Sequence, residues 1–131
     1  MAVRFIEPAE IERFRQAIND DPEFKLSARL MTKDILLGVG ESQCLIRIKD
    51  GVIIEMLLNP PLAQPPSFSI IGPTEFWEKF LQPVPPPLFN DIFVAISRRT
   101  AVIRGDIEAA FAHFLALVRM LNIMRDLQNQ P

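Results

Sequence analysis

Val102-Ile103-Arg104-Gly105-Asp106-Ile107-Glu108-Ala109-Ala110-Phe111-Ala112-His113-Phe114-Leu115-Ala116-Leu117-Val118-Arg119-Met120-Leu121-Asn122-Ile123-Met124 is the stretch on which the reading of this chain turns. A β-branched run stops at a glycine, and Asp106 then offers the side-chain oxygen that caps a helix. A last strand over 98–105 and one helix over 106–127 are expected. Within that helix only Glu108, His113, Arg119 and Asn122 interrupt the apolar residues from Ile107 to Met124. A helix resting on one sheet face needs an apolar stripe a little over about 100° wide. Here Ile107, Phe111, Phe114, Val118 and Leu121 form one stripe, and Leu117, Met120, Met124 and Leu127 form a second flank with His113 and Ala116. The first is expected to lie on the sheet. The second needs another cover: the Phe/Trp helices at 74–97, a second subunit, or an apolar ligand. Burial on all sides within the protein's own core is equally open at this point.

Upstream, Asp50-Gly51 joins two β-rich runs, Cys44 to Lys49 and Val52 to Leu58, and is the dipeptide that tolerates the positive φ angles of a tight hairpin. With a two-residue loop, Ile46 and Ile48 share a face with Ile53 and Glu55. Neither face is then purely polar, so either the loop is longer and the register shifts or both faces are partly covered. Ile35 to Val39 supplies a third strand and Phe68 to Gly72 a fourth. An amphipathic N-terminal helix is expected over 8–20, with Ile11, Phe14 and Ile18 on its apolar side, and a short one after Asp21-Pro22. Residues 73–81 and 88–96 give two more short helices, rich in phenylalanine. Two proline clusters, Pro60-Pro61-Leu62-Ala63-Gln64-Pro65-Pro66 and Pro83-Val84-Pro85-Pro86-Pro87, read as stiff loops. Helices gathered against an antiparallel sheet, as one domain over 1–131, is the layout.

Composition narrows the function classes. With 49% hydrophobic and 23% charged residues in 131, the chain can build a core. A net charge of −2 gives no drive toward a phosphate backbone, so nucleic acid is not an expected partner. Arg119 within the longest apolar run argues against a transmembrane segment. Ten Phe, one Trp and no Tyr make an aromatic surface without hydroxyls, suited to dry surroundings. A single cysteine, Cys44, allows no intrachain disulfide and fits the reducing cytosol, so a cytoplasmic location is expected.

Chemistry-bearing groups are sparse. His113 is the only histidine, and a general base there needs a partner from another segment. Asp91 and Glu55 are the acids with apolar neighbours, and a His113 with Asp91 pair is the one acid/base arrangement on offer. No phosphate loop, metal-ligand spacing or nucleophile elbow is present in the sequence, and no cofactor is implied. Methionine and phenylalanine, by contrast, are what an apolar pocket uses. Phe76, Trp77, Phe80, Phe89, Phe93, His113, Leu117, Met120 and Met124 are the candidate ligand-binding residues, with His113 or Asp91 placed to orient a polar head group.

The runs Ile48-Lys49-Asp50-Gly51-Val52, Ile70-Ile71-Gly72-Pro73-Thr74-Glu75-Phe76 and Val102-Ile103-Arg104-Gly105-Asp106, the last followed by a long apolar helix, together resemble the sterol carrier protein type-2-like domain. The resemblance spans about Asp21 to Arg125. It implies an α+β fold with an antiparallel five-stranded sheet, helices packed on one face, and an apolar tunnel between them that takes a lipid, fatty acyl chain, sterol or terpenoid. The proline clusters depart from the family pattern where they could reshape a tunnel mouth. Binding with presentation or transfer of an apolar ligand is the expected function, without bond-making. An enzyme, or the helper subunit of one, acting on a hydrophobic substrate is the alternative. A third reading is an interaction domain whose second apolar flank docks an enzyme partner or a second copy in a homo-oligomer.

Overall fold

The computed structural model describes residues 2–61 and 64–131. A 3-10 turn at Arg4–Ile6 leads into α1 (Ile11–Asp20) and α2 (Pro22–Ser27), then β1 (Lys33–Val39), β2 (Ser42–Lys49), β3 (Val52–Leu58) and β4 (Phe68–Gly72). Next come α3 (Thr74–Phe80), α4 (Ile92–Ser97), β5 (Val102–Gly105), α5 (Ile107–Ala112) and α6 (Phe114–Gln128). The starts obey local chemistry. Asp21 accepts the Phe24 N–H at 2.9 Å with Pro22 in the first turn of α2, and Asp106 accepts the Ala109 N–H at 3.0 Å.

The strands form one sheet in the order β3-β2-β1-β4-β5. β1, β2 and β3 are an antiparallel meander, but β4 lies parallel to β1, so the sheet is mixed and not wholly antiparallel as expected. The connection explains the direction. A chain leaving β3 must cross β2 and β1, about 14 Å of strand spacing, and travel back along the sheet before entering β4. Stiff extended proline covers about 3 Å per residue, so the stretch between Leu58 and Phe68 can span that diagonal. The described part of the first proline cluster lies over the outer sheet face. There Pro60, Pro61 and Gln64 meet Asp34, Leu45 and Arg47 around a recess of about 280 Å³, and Leu36 and Leu45 are buried. Leu62 and Ala63 of that cluster lie outside the described residues. The second cluster joins α3 to α4.

The hairpin has its two-residue loop, with Lys49 opposite Val52 and φ of 49° at Asp50 and 79° at Gly51. Only glycine suits the second position, because a Cβ there would sit 2.6 Å from the Ala28 carbonyl oxygen of the turn beneath. The register problem is solved by a bulge. Ile48 pairs with Ile53 and Arg47 with Glu55, leaving Ile54 extra. One inserted residue reverses the alternation, so Met56 joins Ile46, Ile48 and Ile53 on the buried face while Glu55 turns outward to Arg47 at 3.6 Å.

Four boundaries differ from the sequence expectation. Residues 8–10 are a turn, and the helix begins at Ile11. The helix expected over 88–96 is confined to α4, because Leu88 stands at φ 75° and Asp91 caps it by accepting the Phe93 N–H at 2.8 Å. Arg98 and Arg99 close α4 and leave the strand to start at Val102. The single closing helix over 106–127 is two helices, divided at His113, whose φ of −107° and ψ of 27° leave the helical region. Inside, Phe5, Phe14, Phe24, Phe68, Trp77 and Phe80 are fully enclosed between the helices and the inner sheet face.

Candidate functional site

The C-terminal half of α6 is bolted down. Asn129 Nδ2 donates to the Leu81 carbonyl at 2.8 Å, Arg125 Nε donates to the Phe80 carbonyl at 2.8 Å, and the Arg125 guanidinium lies 4.6 Å from the Phe80 ring centre. Gln128 accepts the Arg4 N–H and donates to the Ala2 carbonyl, closing the N-terminus over the helix. About two turns further in, Arg119 reaches Asp21 with two bonds of 2.7 and 2.9 Å. Asp21 is thereby held well below the usual carboxylate range, at about 2, chiefly by the hydrogen bond from Arg119.

The flanks expected for one closing helix divide differently over α5 and α6. Leu117, Met120, Met124 and Leu127, predicted to face something other than the sheet, are the buried side. The stripe assigned to the sheet is split: Ile107, Phe111 and Phe114 are exposed, as is Leu115 beside them, whereas Val118 is half-buried and Leu121 is buried. Both flanks are apolar enough to be core, so the period alone carries no sign. Phe93 sits between Phe111 and Phe114, at centroid distances of 5.2 and 5.0 Å. Two open clefts flank this aromatic ridge. One, of about 200 Å³, has an apolar wall of Phe80, Ile92, Phe114, Val118 and Leu121 and a polar rim of Asn90, Asp91 and Asn122. The other, of about 470 Å³, runs between Leu26 and Leu115 over Val118, with Glu23 and Arg29 at its border.

The sequence-predicted residues divide into three groups. Phe76, Trp77, Phe80, Leu117, Met120 and Met124 are buried in the core. Trp77 stacks edge-on to Phe5, Phe76 and Phe80 and donates its indole N–H to the Gly38 carbonyl at 2.8 Å. Two of this group also border open recesses: Phe80 lines the cleft of about 200 Å³, and Phe76 lines, with Phe89 and Lys79, another of about 350 Å³. Phe89 is half-buried between the Phe76 ring and the Lys79 ammonium, on the far side of the aromatic cluster, and Phe93 is half-buried beneath the exposed Phe111 and Phe114. His113 marks the break between α5 and α6. Burial and, secondarily, the positive charge of Lys33 lower its pKa, which favours a neutral ring. No hydrogen bond joins it to Asp91 among the described residues, and Asp91 is occupied as a helix cap. Val118, Leu121, Ile92, Asn90 and Asn122 line the cleft but were not among the candidate ligand-binding residues. Only Asn122, polar within an apolar run, gave a local signal.

No family model matches the sequence, and no curated protein matches it. Solved structures do. A crystal structure of sterol carrier protein 2 superposes with a TM-score of 0.77 at 14% identity, covering 92% of this chain and 97% of that one. The solution structure of a conserved hypothetical protein from Thermus thermophilus, named as a possible sterol carrier protein, gives a TM-score of 0.77 at 15% identity over 99% and 94%. A ubiquinone synthesis protein, UbiJ-SCP2, gives 0.59 at 13% identity over 88% and 93%. The chain has the sterol carrier protein 2 fold, here with its one parallel strand pair. No helix among the described residues is long and apolar enough to cross a membrane.

Proposed function

We propose that this protein binds an apolar molecule, a lipid, fatty acyl chain, sterol or terpenoid, and presents or transfers it without making bonds to it. The observation that carries this reading is the ridge of exposed Phe111 and Phe114 against half-buried Phe93, beside a cleft lined by Phe80, Ile92, Phe114, Val118 and Leu121 together with Asn90, Asp91 and Asn122. The similarity to sterol carrier protein 2 supports it. The cleft of about 200 Å³ is smaller than the roughly 300–1,000 Å³ of sites that enclose a drug-sized ligand, so enclosing a chain would need a movement that opens this cleft. Such a movement would extend the cleft toward Leu117, Met120 and Met124 and past Phe80 toward Phe76, Trp77 and Phe89, giving the enclosed tunnel and the lining expected from the sequence. Asn90, Asp91 and Asn122 would orient a polar head group. No cofactor enters. The likeness to a ubiquinone synthesis protein favours a second reading in which the same cleft holds a hydrophobic substrate for an enzyme partner.

Native mass spectrometry of the purified protein with solvent extraction, followed by titration with pyrene-labelled fatty acid and pyrene-labelled cholesterol, tests the proposal. Phe114→Glu and Val118→Glu should each weaken binding by about tenfold or more, the effect of losing one apolar side chain's worth of burial. An empty protein that binds neither probe refutes it.

A further inference from the structure

The two edges of the sheet are treated differently. At β3 the backbone of Ile53 is held on both polar atoms by Asn19 of α1: Nδ2 donates to the Ile53 carbonyl at 3.0 Å and Oδ1 accepts its N–H at 2.8 Å. Arg15 donates to the same carbonyl at 3.3 Å, and the adjacent bulge breaks the ladder. β5 carries no such guard. The Asp106 N–H bonds to the Ser67 carbonyl at 2.8 Å, which fixes the phase of the antiparallel ladder between β4 and β5. Val102 and Arg104 therefore turn their polar groups to β4, as Asp106 does its N–H, and Ile103 and Gly105 direct their N–H and C=O groups away from it. No hydrogen bond to those outward groups occurs among the described residues.

The charge at this edge is also unspent. Arg13, Arg15, Arg47 and Arg119 each reach a carboxylate, and Arg4, Arg29 and Arg125 reach main-chain carbonyls. Arg98, Arg99 and Arg104 are exposed, and among the described residues their side chains make no hydrogen bond or ion pair; Arg99 stands apart from the strand edge, at a recess with Pro73, Glu75 and Lys79. The turn that presents the first two is fastened, because the Thr100 N–H and hydroxyl both donate to the Ala95 carbonyl, at 3.0 and 3.2 Å. The neighbouring acid, Asp106, is already engaged as the cap of α5. A second copy is a poor occupant, since pairing β5 with itself would set these arginines against their own kind. An acidic strand is the complementary one.

We propose that the free edge of β5 is a docking site for an extended acidic segment of a partner protein, which adds as a sixth strand bonded to Ile103 and Gly105 with carboxylates facing Arg98 and Arg104. Main-chain bonds would supply the register, and the arginines the choice of partner. Arg104 projects on the outer sheet face and Ile103 on the inner, so the segment should alternate acidic and apolar residues.

The probe is a fluorescein-labelled synthetic peptide of alternating glutamate and valine, read by fluorescence polarisation against the full chain at low ionic strength. Three comparison peptides are used: one with lysine for glutamate, one with scrambled order, and one N-methylated at alternate backbone positions. Binding by the acidic peptide is expected, with slowed amide exchange at Ile103 and Gly105. It should weaken about tenfold with Arg98→Glu plus Arg104→Glu, and equally with N-methylation, which leaves the protein untouched. Equal binding of the N-methylated or scrambled peptide would reduce the edge to a charge contact and overturn the proposal. So would no binding at about millimolar peptide, or capture of phosphatidylglycerol vesicles in preference to the peptide.

Discussion

Asp21 performs two tasks that can be separated experimentally. Its carboxylate caps α2 through the Phe24 N–H at 2.9 Å, and it ties the α1–α2 junction to α6 through Arg119 at 2.7 and 2.9 Å. Asp21→Asn keeps a cap acceptor and removes the charge, whereas Asp21→Ala removes both. The carboxyl falls from 3.8 to about 2 on folding. At about 1.4 kcal/mol per unit that depression sets a ceiling of roughly 2.5 kcal/mol. The Asp21 side chain is 15% exposed but Arg119 is 32% exposed, and solvent screening brings the expected contribution to about 1–2 kcal/mol. Asp21→Ala should cost about 1 kcal/mol beyond that for the lost cap. The pH dependence has a fixed sign. A carboxyl whose folded pKa is depressed stabilises fully above its unfolded value and loses that contribution as pH falls through the folded one. Urea unfolding from pH 7 to pH 2 should therefore show a difference between wild type and Asp21→Asn that is constant down to about pH 5 and shrinks between about 4 and 2. A double-mutant cycle with Arg119→Met should return a coupling of about 1 kcal/mol or more. A difference that persists undiminished at pH 2, or a coupling below about 0.3 kcal/mol, refutes the account.

Two further expectations follow from the core. The Cys44 thiol, enclosed beneath the sheet, is pushed up to about 12 by burial, so the folded protein at pH 8 should leave dithionitrobenzoate unreacted and release its thiol signal only in denaturant. Trp77→Phe removes the donor to the Gly38 carbonyl and leaves a gap among Phe5, Phe76 and Phe80, and should cost about 2–3 kcal/mol by chemical denaturation with the fold retained in circular dichroism.

The sequence by itself determined those features that a few adjacent residues encode. Asp21-Pro22 and Asp106 start helices because their side chains reach the N–H groups three residues on, and Asp50-Gly51 turns a hairpin because both residues accept positive φ. The surplus apolar circumference of the closing helix was equally legible, being a count of side chains around a fixed period. Other features needed the folded chain. The parallel entry of β4 depends on where an extended proline-rich crossing lands, a distance between strands that no local pattern contains. The bulge at Ile54 arises because burying Met56 beside Ile53 outweighs one broken ladder position. Which flank of α6 faces inward was settled by groups remote in sequence, Asp21 on Arg119 and the Phe80 and Leu81 carbonyls on Arg125 and Asn129, each of which fixes the rotation of the helix about its axis. Side-chain order along a helix specifies how much apolar surface it has, and only the polar anchors of its neighbours specify where that surface points.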